Sequence, residues 1–82
     1  MNTITINNKE YKVKYTIRAM FIFEQIKGES FAINTSLDNF IFLYSLILAN
    51  NKDNPLSWDE FIDAIDNDPT IAQQINALAT TN

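Results

Sequence analysis

The stretch "YKVKYTIRAMFIFEQIKG", Tyr11 to Gly28, passes from one periodicity to another without a loop. Its first residues alternate apolar and polar, the period of a half-buried strand, and from Ile17 the apolar residues recur at helical spacing. Thr16 stands between the two patterns as a candidate N-cap. Gly28, the only glycine in the chain, stands where a helix needs a left-handed residue just past its end. The spacing predicts a strand that feeds directly into a helix over residues 17–27.

Upstream, "TITI" alternates at the same period and is separated from "YKVKY" by the polar "NNKE". This predicts a β-hairpin over residues 3–15. A two-residue turn at Asn8-Lys9 sets Ile6 opposite Tyr11 and Ile4 opposite Val13, all four on one buried face. Thr3, Thr5, Lys12 and Lys14 then face water. An isolated hairpin is marginal in water, so this one must pack on helices.

Downstream, "ESFAINT" reads as a connection, with a short extended or helical turn at Phe31–Ile33. Ser36 is the expected cap of a second helix over residues 37–50, with Asp38 in its first turn to suit the helix dipole. "NKDNP" reads as a turn. "SWDE", Ser57 to Glu60, has the capping-box spacing and opens a third helix over residues 58–66. "DNDPT" ends it, and Pro69 is expected at the first position of a fourth helix over residues 70–78. The tail "ATTN" is expected to fray. The class is therefore α+β and mainly helical: an N-terminal β-hairpin followed by three to four helices packed as a small bundle, in one domain of 82 residues.

The composition narrows the function classes. With no histidine and no cysteine, the chain lacks the commonest general base, the commonest metal ligand, thiolate chemistry and disulfides. One glycine cannot build a phosphate-cradling loop. No apolar run approaches the length of a membrane span, and the N-terminus has no secretory h-region. A cytosolic location is expected. Asp59, Asp63 and Asp66 share one helical face, but they lack the alternating oxygens, glycine and distal glutamate of a calcium loop. A solvated acidic face is the expected reading. Catalytic, cofactor and metal sites are expected to be absent, and the chain reads as a non-enzyme.

Charge is placed unevenly. Residues 1–30 carry a net +2 and residues 31–82 a net −6. Six basic residues in an acidic chain make a poor binder of nucleic-acid backbone. The two-ended charge suits head-to-tail self-association. An acidic DNA mimic that inhibits a DNA-binding protein, or a small structural domain of a mobile element, are the alternative readings.

The remaining signal is an excess of apolar helix surface. In the first helix Ala19, Ile22, Phe23 and Ile26 form the expected core stripe, which leaves Ile17 and Phe21 on the opposite side with Met20 beside them. In the second, Leu37, Phe40, Ile41, Tyr44, Ile47 and Leu48 form the core stripe, and Phe42 and Leu46 point the other way. Only one helix of so small a chain can be central. The second stripes are either covered by the hairpin and the fourth helix or exposed as a partner surface. Trp58 is expected to pack the start of the third helix onto the core.

The residues Ile4, Ile6, Lys9, Glu10, Tyr11, Lys14 and Tyr15, then Arg18 and Glu24, then Ala49 and Asn54-Pro55, then Ser57, Asp59 and Glu60, follow a pattern. Over residues 4–66 the chain resembles the small tail assembly chaperones of long-tailed bacteriophages and prophages. That family often reads "I-x-I-x-G-K-E-Y-x-L-K-F" in the hairpin; here Asn8 stands where glycine is usual, which a positive-φ turn tolerates. The resemblance implies a protein that binds a long helical tape measure protein, recruits tail tube subunits and self-associates, without catalysis or a small-molecule substrate. Ile17, Met20, Phe21, Phe42 and Leu46 would then form the partner interface, with Arg18 as a charged flank.

Overall fold

Strands β1 (Thr3–Ile6) and β2 (Lys9–Lys12) pair as an antiparallel hairpin in a computed structural model that describes residues 3–80. Helices α1 (Ile17–Lys27), α2 (Ser36–Asn50), α3 (Trp58–Asn67) and α4 (Thr70–Thr80) follow. The α+β, mainly helical class is as expected.

The hairpin turns one residue earlier than the spacing predicted. Asn7 and Asn8 both have positive φ, 53° and 66°, the combination that a two-residue turn of the primed type requires. Asparagine tolerates that region, and two in succession satisfy both positions; Lys9 in the second would not. Ile4 therefore pairs with Tyr11 and Ile6 with Lys9. Each partner moves by two residues, which keeps every side chain on its face. Ile4, Ile6, Tyr11 and Val13 are buried as expected. The second strand ends at Lys12, but the chain beyond it is still held. Asn50 Nδ2 donates to the Lys14 carbonyl at 2.8 Å.

Helix α1 has the expected ends. The Ala19 N–H donates to Thr16 Oγ1 at 3.1 Å. Gly28 takes φ 73°, and its N–H closes on the Glu24 carbonyl at 2.8 Å. The cap of α2 is Thr35, not Ser36. A capping box is strengthened by an anionic acceptor three residues on, and Thr35 has the Asp38 carboxylate there while Ser36 has the neutral amide of Asn39. The Asp38 N–H donates to Thr35 Oγ1 at 3.1 Å, and Asp38 Oδ2 accepts from the N–H groups of Thr35 and Asn34 at 3.2 and 3.0 Å. Ser57 and Glu60 form the predicted box on α3. Pro69 lies just before α4 rather than in it. Asp68 Oδ1 accepts from the Thr70 N–H at 3.1 Å and the Asp68 carbonyl from the Ile71 N–H at 3.0 Å, which start the helix. Helix α4 continues to Thr80 with Ala79 buried, so the expected fraying does not begin at Ala79; residues 81–82 lie outside the described residues.

Helix α2 is central and packs on α1, α4 and β2. Its buried residues, Ile41, Phe42, Leu43, Ser45, Leu46 and Ile47, run round most of its circumference. Ser45 is tolerated there because its hydroxyl donates to the Ile41 carbonyl at 2.8 Å. Trp58 packs edge-on to Tyr44 with ring centres 5.3 Å apart, and Phe61 joins the pair. The Tyr44 hydroxyl is satisfied by the Leu56 carbonyl at 2.7 Å.

Two residues assigned to the core by periodicity, Ile26 and Leu37, are exposed. In the first turn of α2 the inward position belongs to Asp38, which meets Lys27 Nζ at 2.6 Å, and Leu37 is turned outward beside it. After Gly28 the chain crosses on the Glu24 side, where the Phe31 N–H bonds Glu24 Oε2 at 2.8 Å. Ile26 lies on the side the crossing leaves uncovered.

Candidate functional site

Of the two second apolar stripes, that of α1 stays at the surface and that of α2 does not. Phe21 is 53% exposed and Ile17 is 63% exposed, one turn apart on the outer side of the helix. Arg18, Phe21, Ile22 and Gln25 line a shallow open depression beside them. Met20 is half-buried at the margin. Ile22, expected in the core, is half-buried and shared between core and depression.

Phe42 and Leu46 do not belong to this surface. Phe42 is 9% exposed and Leu46 is 0% exposed, so the expectation that both form an interface is corrected. The reason is the connection between α1 and α2. Phe31 folds back between the helices, its ring 5.0 Å from Phe23 and 5.3 Å from Phe42, and the Tyr15 ring lies 6.1 Å from Phe42. Leu46 sits where the hairpin exit is tied down, its carbonyl taking a second bond from Asn50 Nδ2 at 2.7 Å. The coverage that the sequence left open is thus supplied for α2 and not for α1.

The charges on α1 are sorted in the same way. Glu24, its only acid, is turned to the Phe31 N–H. Lys27 is turned to Asp38 and, at 3.9 Å, Glu29. Arg18 has no ion-pair partner among the described residues. The outer face of α1 therefore offers two apolar anchors, a guanidinium and an amide. Such a face can receive an amphipathic helix or strand with apolar anchors and a carboxylate near them.

Asp59, Asp63 and Asp66 are exposed on α3, and no group of three or more Asp or Glu side chains among the described residues is placed to hold a metal ion. No described helix is long and apolar enough to cross a membrane.

Exposure of Tyr15, Ile33 and Leu37 escaped the sequence reading. Tyr15 and Ile33 lie in connections, where periodicity carries no signal, whereas Leu37 belongs to α2 and is the core-stripe position that proves exposed. Comparison of the chain with protein-family models, with curated proteins and with solved structures gives no match.

Proposed function

We propose that the protein is a non-enzymatic assembly chaperone of the phage-tail type, which holds a long helical tape measure protein through the outer face of α1. The observation that carries the reading is the exposure of Phe21 with Ile17 one turn away. More than half of each side chain is left to solvent among the described residues, and exposed apolar pairs beside a cation suit a partner helix.

Magnitudes shape the reading. Because Phe21 and Ile17 are 53% and 63% exposed, covering what remains of the two side chains gains about 2–3.5 kcal/mol. Association costs about 4 kcal/mol or more before any contact is counted. One face on one site is therefore a weak binder. A long partner with repeated helical sites converts weak faces into durable coverage by multivalency. A protein that must later leave its client gains from that weakness. Tail tube subunits and further copies of the chain would be the remaining partners.

The test starts with the reading frames beside the gene, one of which must encode a very long helical-repeat protein. Co-expression with the chain should keep that protein in the soluble fraction, and Phe21→Asp should return it to the pellet. Equal solubility with the variant, or no such frame, would overturn the reading.

A further inference from the structure

The two edges of the hairpin are finished differently. In a hairpin with a two-residue turn, the residues that flank the turn form a narrow, hydrogen-bonded pair, and narrow and wide pairs alternate from there. Ile6 and Lys9 flank the turn, so Thr5–Glu10 and Thr3–Lys12 are wide pairs. Their main-chain groups point away from the partner strand.

Lys12 shows this directly. Its N–H donates to Asn51 Oδ1 at 2.9 Å, and its carbonyl accepts from Asn51 Nδ2 at 2.9 Å. The amide of Asn51 thus closes the outer edge of β2 as a neighbouring strand would. The next outward carbonyl, that of Lys14, is taken by Asn50. On β1, no group among the described residues bonds the outward N–H and C=O of Thr3 and Thr5.

The side chains differ in the same sense. Sheet edges are normally protected by charge, proline or a bulge. Strand β2 reads KEYK and is charged. Strand β1 reads TITI, four β-branched residues with no charge.

We propose that β1 is a pairing edge and that its occupant is β1 of a second copy of the chain. The strand complements itself about a twofold axis at Ile4. Thr3 of each copy then lies opposite Thr5 of the other, and these are the residues whose main-chain groups point outward. Each such narrow pair exchanges an N–H and a C=O in both directions. Threonine meets threonine on the solvent face, a favourable cross-strand pair, while Ile4, already covered within its own chain, stays on the core face. No like charges meet. The product is a continuous four-stranded antiparallel sheet with the two charged β2 strands outermost. The inference uses no residue of α1; it specifies how copies of the chain would meet, and its failure leaves the reading of the Phe21 face untouched.

The test is sedimentation equilibrium from micromolar to millimolar concentration, with amide exchange followed by NMR. The mass should rise from monomer towards twice that value. Exchange at Thr3 and Thr5 should slow as it does so, while Glu10, whose N–H points outward from β2, should not change. Thr5→Lys places like charges across the axis, and Thr5→Pro removes an outward N–H that the hairpin does not use. Both should keep the native circular dichroism and lose the dimer, whereas Phe21→Asp should retain it. A monomer at millimolar concentration overturns the proposal. So does a dimer that persists in Thr5→Lys, or protection of Thr3 and Thr5 by an added extended peptide without self-association.

Discussion

Asn51, the residue after α2, holds both main-chain groups of Lys12 with its one side-chain amide and also donates to the Ile47 carbonyl at 2.7 Å. One residue thereby joins the end of the central helix to the hairpin. Asn51→Ala should destabilise the fold by about 1 kcal/mol, because the released groups lie at an exposed edge and return to water. Asn51→Asp is almost the same shape and should cost more. It sets a carboxylate oxygen where a donor faced two carbonyls. Urea denaturation of the pair gives the order, and an aspartate variant as stable as wild type would contradict the assignment.

The pH dependence follows from a few groups. Asp38 is held below the ordinary carboxylate range by the Lys27 hydrogen bond first and then by the Asn34 amide, and Glu60 is held low by its bonds to Ser57. A lowered folded value stabilises above the unfolded one, and the stability is lost as pH falls through the folded one. Lys27 is raised, by its bond to Asp38, and Tyr11 and Tyr44 are raised chiefly by burial. Those contributions are complete below the unfolded values and are lost as pH rises through the folded ones. With no histidine, stability should be flat between about pH 5 and 9 and fall on both sides. Thermal melts across pH check this. Asp38→Asn should flatten the acid limb.

Caps and faces were legible because they depend on neighbours in the chain. Thr16, Gly28 and the Ser57–Glu60 box need only local geometry. The hairpin faces survived a misplaced turn because strand periodicity is two. What could not be read was coverage. Phe21 and Phe42 have the same periodic status, a second apolar stripe on a helix. Whether Phe31 folds over one of them depends on the path of the connection, which has no period. Ile26 and Leu37 failed for a related reason: Asp38 takes the inward place in the first turn of α2, and the crossing after Gly28 leaves the Ile26 side uncovered.

That difference between matching stripes can be measured. Phe42→Ala and Leu46→Ala should each cost about 2–5 kcal/mol, as side-chain loss from a packed core does. Phe21→Ala should change stability by no more than about 0.5 kcal/mol, the range of surface substitutions. Guanidinium unfolding of the three variants is sufficient. A loss at Phe21 as large as at Phe42 would mean that Phe21 belongs to the core and would remove the proposed partner surface.

Gly28 isolates a purely conformational term. A Cβ built there meets nothing within 4 Å, so any cost of a side chain comes from φ 73° alone. Gly28→Ala should destabilise by about 1 kcal/mol, the penalty of the left-handed region for an L-residue. Asparagine, which tolerates that region, should fall between the two. A D-alanine placed at position 28 by chemical synthesis should do the reverse. It prefers positive φ and leaves the unfolded chain fewer conformations to lose. Opposite shifts in melting temperature for the two alanine enantiomers would show that the helix end, and hence the turn that brings Phe31 back over Phe42, is set by backbone handedness. A destabilising effect of both would contradict that assignment, since the L-alanine methyl has open space around it and its cost can come only from φ.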